Sequence, residues 1–163
     1  SDCSGGDFDS SGDRRPMITT LRALFARDLK RLYNEIAAYR TEDGLWRVAG
    51  AAPNAAGNLC LHLVGNLNTY IGAELGRSGY VRHREAEFAS RNIPRAELLR
   101  QVETTALTVD ATLAQLTTAD LDREFPALVF QEPTSTSFLL VHLSTHLGYH
   151  LGQINYHRRL LDL

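Results

Sequence analysis

Two cysteines in 163 residues are too few for a disulfide framework, and their positions argue against even one bridge: Cys3 lies in a polar tail and Cys60 inside a helix-forming segment. No apolar run approaches the roughly 20 residues that cross a bilayer, and the N-terminus lacks the apolar stretch of a secretory signal. A membrane partner is not expected, and the chain reads as cytoplasmic. There is no basic field either. The formal charge is -2, with 17 basic and 19 acidic residues, and the basic ones are scattered rather than striped, which speaks against a nucleic-acid partner. Also missing are a glycine-rich phosphate loop, a Gly-x-Ser-x-Gly elbow and a cysteine placed beside a histidine as nucleophile; Cys60 stands about 200° around a helix from His62. No strand-pairing signal demands a sheet, and no internal repeat is present.

What the chain does have is 163 residues with 44% hydrophobic content, long enough for one well-packed core and too short for two. Residues 1–16 are rich in Ser, Gly and Asp with almost nothing to bury, and read as a flexible extension; residues 17–163 form the single domain. Leu21, Leu24, Phe25, Leu29, Leu32, Tyr33 and Ile36 recur at three and four and predict a first helix from Ile18 to about Tyr39, capped by Thr19 or Thr20. Gly44, Gly50 and Pro53 break the pattern, so Thr41 to Pro53 reads as a loop carrying the only tryptophan, Trp46. A second helix spans about Asn54 to Leu75. The charged stretch Arg77 to Ile93 then connects to a third helix, Pro94 to about Leu116, with Leu98, Leu99, Val102, Ala106, Val109 and Leu113 inside. Thr118-Ala-Asp-Leu-Asp adds a short turn. The fourth helix runs from Thr136 to Leu161 with Thr134 or Ser135 as cap. The fold class is therefore all-α. A crossover of about 17 residues between helices two and three is long enough to let them run parallel, where antiparallel neighbours need only a short link.

The chemistry concentrates in His142-Leu-Ser-Thr-His146-Leu-Gly-Tyr-His150-Leu-Gly-Gln153. On a helix the three histidines fall within about 80° of one another, each step rising about 6 Å. Their face is also expected to be the buried one, since Leu139, Leu143, Leu147, Ile154 and Leu161 cluster beside it. Spacing alone also fits a pair of core histidines bonded to neighbouring carbonyls. A third imidazole changes the balance: His62, flanked by Leu59, Leu63, Leu67 and Tyr70 at helical spacing, sits on or beside the inward stripe of helix two. One histidine from that helix and an HxxxH pair from another supply three nitrogen ligands and leave a fourth position open, the pattern of catalytic zinc-type sites. His142 is one turn early and lines the pocket wall, while His157 lies about 10 Å beyond His150 and is structural.

The order of one early histidine followed by His146-xxx-His150-x-Gly-Gln153, with the run Arg82-His-Arg84-Glu-Ala-Glu-Phe88 between them, resembles the DinB/YfiT-like family of metalloenzymes from about Ile18 to the end. The resemblance implies a four-helix bundle in up-down-down-up order. It also implies a nickel- or zinc-type ion held by residues mapping onto His62, His146 and His150, and a homodimer, which an exposed apolar strip on helix one or helix three would support. Many relatives carry a further histidine where this chain has Tyr149. Some relatives use low-molecular-weight thiols, so a thiol-dependent transferase or isomerase acting on a small electrophilic substrate is the implied activity. Two alternatives stand beside it: a metal-dependent hydrolase, for which His142 is the available second histidine, and a non-catalytic protein in which metal steadies the bundle. A zincin peptidase is disfavoured, since the position of its glutamate is Leu147.

Gln153, Asn58 and Asn66 are candidates to orient a ligand imidazole or a substrate. Trp46, Tyr70 and Tyr149 are candidate pocket walls, though aromatic residues at helical spacing are more often simple core; Arg82, Arg84, Glu85 and Glu87 read as a solvated face, with Arg84 a candidate contact for a carboxylate-bearing substrate. Gly148 and Gly152 each cost about 1 kcal/mol in a helix interior, which implies that room is needed there for another helix or a ligand.

Overall fold

The computed structural model describes residues 16–163, so all but Pro16 of the expected N-terminal extension lies outside the described residues. Six helices follow one another: α1 (Met17–Ala37), α2 (Ala56–Leu67), α3 (Arg84–Ala89), α4 (Arg95–Gln115), α5 (Thr118–Asp122) and α6 (Thr136–Leu161). No strand is present among the described residues, only two isolated bridges, and no helix is long and apolar enough to cross a membrane.

Helical periodicity explains the long elements. Leu21, Phe25, Leu29, Leu32 and Ile36 of α1 form one buried stripe, as do Leu98, Val102, Thr105, Val109 and Leu113 of α4. Each of α1 and α2 packs against both α4 and α6. Every residue of α2 is buried, because α3 covers the flank that the long helices leave open. His62, on this helix, is 7% exposed.

Side-chain partners fix how the helices lie along one another. Between α1 and α4, Arg22 near the start of one pairs with Asp110 near the end of the other. Glu35 of α1 accepts from both Asn155 and Arg158 of α6 at 2.7 Å. From α2 onward, Asn68 donates to Thr105, and Gly72 and Gly76 then lie against Thr108 and Thr112 in ascending order.

Helix boundaries depart from the expectations in two places. Thr19 and Thr20 do not cap α1: the helix begins at Met17, and the Thr20 N–H is already taken by the carbonyl of Pro16. Helix two leaves α geometry after Leu67 and continues as a π-helical turn, Asn68–Ala73, where Asn68 Nδ2 donates to the Val64 carbonyl and Thr69 Oγ1 to that of Gly65. Such side-chain insertions loosen the i to i-4 ladder. Ser135 caps α6 as expected, its hydroxyl accepting from the Phe138 N–H, and α5 opens with a Thr117/Asp120 capping box.

Glu35 gives the contact between α1 and α6 a pH dependence. Burial alone raises its pKa, but the hydrogen bonds from Arg158 and Asn155 outweigh burial, and the net value lies below the ordinary 4.5. The stabilisation is thus complete above pH 4.5 and fades as acid titrates the carboxylate below it. Glu35→Gln is expected to cost about 1–2 kcal/mol at neutral pH, and urea midpoints of variant and wild type should draw together as pH falls toward 3.

Candidate metal centre

α2 and α6 cross where His62 faces His146 and His150. His62 Nε2 lies 3.3 Å from His146 Nε2, and His150 Nε2 lies 3.1 Å from the same atom. A ligand atom from each of the three rings falls within 4.8 Å of the others, and this is the group of three potential ligands found among the described residues. HxxxH on α6 brings two rings to one level with centroids 4.5 Å apart at 87°, so that their edges, not their faces, converge.

The outer nitrogens of two rings are tied. His62 Nδ1–H donates to Glu87 Oε1 at 3.1 Å, and His150 Nδ1–H to Gln153 Oε1 at 2.7 Å. That tautomer leaves the Nε2 lone pair of each ring pointing inward. A single proton on His146 Nε2 can satisfy only one of them, so one inward lone pair lacks a donor unless a cation sits between the rings. Tetrahedral ligation at about 2.0–2.1 Å spaces neighbouring nitrogens by about 3.3 Å, close to the separations observed. The donor set fits a divalent ion.

Electrostatics favour the neutral, ligating form of the imidazoles. Burial, followed by the neighbouring His150 and His62, pushes His146 down to about 4. His62 is also lowered, by burial first, with Glu87 opposing. His146 Nδ1 is buried and has no partner, as is Asn66 Oδ1.

The residue that sequence reasoning missed is Glu87. It lies in the run Arg82 to Phe88, whose four charged side chains Arg82, Arg84, Glu85 and Glu87 read as a solvated face, yet it is 6% exposed. The six-residue helix α3 delivers it onto α2. Arg82 grips both carboxylate oxygens at 2.8 Å. Gly65 makes room for this arrangement, since a Cβ there would collide with Glu87 Oε2. Phe88, next in sequence, packs its ring 5.1 Å from that of His62. The readable signal was Gly65, a glycine inside a helix opposite no obvious turn.

Other candidates are placed as follows. Gln153 touches His150, while Asn58 holds the crossover instead of a ligand: its Nδ2 donates to the carbonyls of Glu87 and Ser90, and Arg91 donates to its Oδ1. His142 stands outside the trio, stacked on His146 with centroids 6.2 Å apart and edge-on to Phe130. Tyr149 is exposed, its ring 5.2 Å from that of His150. Tyr70 is half-buried against Phe125. Trp46 is packed in the core on Gly57, in a 3-10 turn, Asp43–Trp46, and is not brought to the three histidines. Arg84 is exposed at the start of α3; Arg82 is the arginine that reaches the site. His157 accepts from Tyr39 and donates to the Arg47 carbonyl, both at 2.8 Å, clamping the end of α6. Gly148 and Gly152 admit no close helix within the chain, since a Cβ on either meets nothing within 4 Å.

A family model, described as the DinB superfamily, matches residues 24–154. That range contains all three histidines and the whole crossover. Among curated proteins, none matches the chain.

Proposed function

Because the chain belongs to the DinB superfamily, we propose that it is a metal-dependent enzyme whose His62, His146 and His150 hold a zinc- or nickel-type ion with a coordination position open to a small-molecule substrate. The observation that carries the reading is the convergence of three Nε2 lone pairs, two of them aimed by Glu87 and Gln153. An up-down-down-up bundle goes with it. That order is supported by the ascending contacts of α2 with α4 and by the pairing of the C-terminal parts of α1 and α6.

A divalent ion in this setting supplies Lewis acidity toward a thiolate sulfur or a carbonyl oxygen. The surrounding residues decide between them. Both oxygens of Glu87 are engaged by His62 and Arg82, so the carboxylate nearest the trio is not available as a general base. A thiol-dependent reaction would need no such base, because a thiol coordinating the ion would release its proton to solvent and remain there as thiolate. The substrate is then a small electrophile, whose carbon gains the sulfur and sheds its leaving group. The hydrolytic alternative depends on His142 as base, and its stacking beside His146 is the observation in its favour.

The test is turnover of an electrophilic aryl halide or epoxide with and without an added low-molecular-weight thiol. Thiol-dependent turnover that vanishes in His146→Ala is the expected result. Thiol-independent cleavage of an activated ester, lost in His142→Ala, would replace this reading with the hydrolase.

A further inference from the structure

Each of the three converging rings has an outer nitrogen, and two of these are accounted for: Glu87 takes the Nδ1–H of His62, and Gln153 that of His150. The third is not. Of the four buried side-chain nitrogens and oxygens that lack a partner among the described residues, one is His146 Nδ1 and another is Asn66 Oδ1. The remaining two, Trp46 Nε1 and Arg95 Nε, belong to the Asp43–Trp46 turn and to the first residue of α4. Asn66 is only 8% exposed, and a buried acceptor left unpaired is costly enough to call for an explanation.

Helical register turns Asn66 toward His146. It stands four residues after His62 and seven after Leu59, so its side chain leaves α2 within about 40° of both. That side meets α6: Leu59 shares a groove with Gln153, Tyr156 and His157, and His62 faces His146 and His150. Each turn forward on α2 therefore runs a turn back on α6. One turn beyond His62, Asn66 lies at the level of His142 and His146.

Resting on the three-histidine reading, we infer that Asn66 is the positioning residue of His146: its Oδ1 accepts the Nδ1–H of that ring when Nε2 is given to the ion. Tautomer chemistry explains why the two atoms are complementary in one state and not in the other. A neutral imidazole has one N–H and one lone pair. With the proton on Nε2, where it serves the Nε2 atoms of His62 at 3.3 Å or His150 at 3.1 Å, Nδ1 is an acceptor. Asn66 Oδ1 is an acceptor too, and two acceptors do not bond. With the Nε2 lone pair on a divalent ion, the ring stays neutral and its single proton resides on Nδ1, so that the two unpaired atoms become donor and acceptor. All three rings are then aimed in the same manner, His62 by a carboxylate, His150 and His146 each by a side-chain amide. An acceptor on the outer nitrogen fixes the tautomer of a metal-bound histidine and makes it a stronger ligand. The one other imidazole at this level is His142, stacked on His146, and the experiment separates the two.

Zinc affinity, read by competition with a chromophoric chelator, is measured beside the melting temperature of the metal-free protein. Asn66→Leu keeps the size and removes the acceptor. It is expected to bind zinc about 10–100-fold more weakly, while the metal-free variant melts no lower than metal-free wild type, because an unpaired buried polar group has been exchanged for an apolar one. Asn66→Asp keeps an acceptor in the same place and should bind zinc at least as tightly as wild type. Zinc-loaded wild type supplies a check that needs no variant: long-range proton–nitrogen correlation should place the His146 proton on Nδ1, slow to exchange and with an NOE to the Asn66 side-chain amide. Five results would overturn the assignment and leave the three-histidine site standing: a leucine variant that binds zinc like wild type, one whose metal-free form melts lower in proportion, an aspartate variant as weak as the leucine one, a leucine effect that disappears in a His142→Ala background, or a His146 Nδ1 without its proton. A wild type that binds no zinc would remove the site itself, and this role of Asn66 with it.

Discussion

Stripping the chain with a chelator is expected to remove about one divalent ion per molecule and to lower the melting temperature by about 5–10 °C. The estimate follows from mass action. A ligand present at about 100 times its Kd stabilises the native state by about 2.7 kcal/mol, and a domain of this size gains about 2–4 °C per kcal/mol. His62→Ala and His146→Ala should each abolish the metal content and the shift together, as read by elemental analysis beside calorimetry. The metal-free variants discriminate between roles. The apolar core is built from side chains of α1, α2, α4 and α6 and does not include the trio, and without metal the inward lone pairs repel one another. Metal-free His146→Ala should therefore melt no lower than metal-free wild type. A sharply lower melting point in the variant would favour the structural role, and unchanged metal content in His62→Ala would sink the three-histidine site.

How much of this was legible in the sequence depends on length scale. α6 was readable to the residue, Thr136–Leu161, because 26 positions average out local exceptions and Ser135 offers a cap. The HxxxH pair came with it, as both members ride one rigid rod. His62 was readable because a helix buried on every side leaves few polar residues to consider. The crossover was opaque for the opposite reason. Six helical residues are fewer than two turns, too short for a period to emerge, and α3 is held by contacts that no local pattern encodes: Asn58 bonding the backbone at Glu87 and Ser90, and Gly65 clearing space for the carboxylate. A charged run read as solvated is the natural reading when ion pairing, not solvent, supplies the compensation. Trp46 illustrates a related point. It stood as a candidate pocket wall beside the commoner reading of simple core, and a single 3-10 turn suffices to fold its indole into the core.

The larger effect should come from Arg82, whose Nη2 lies 3.3 Å from His62 Nδ1. Glu87→Gln keeps an acceptor for His62 Nδ1 but surrenders the charge that makes the ring a stronger donor to metal, and a loss of about 10–100-fold in metal affinity is the typical consequence. Arg82→Met is worse. It leaves the Glu87 carboxylate 6% exposed with both guanidinium bonds gone, and removing one partner of a buried pair costs about 3–5 kcal/mol. The double variant Arg82→Met/Glu87→Gln has no orphaned charge, so it should regain much of that stability while remaining weak in metal binding. Stability and affinity thus separate across the cycle: strongly non-additive in urea denaturation, dominated by Glu87 in metal titration. Were the run Arg82 to Phe88 only a solvated face, all three variants would fall within about 0.5 kcal/mol of wild type and bind metal alike, and the carboxylate would have no part in aiming His62.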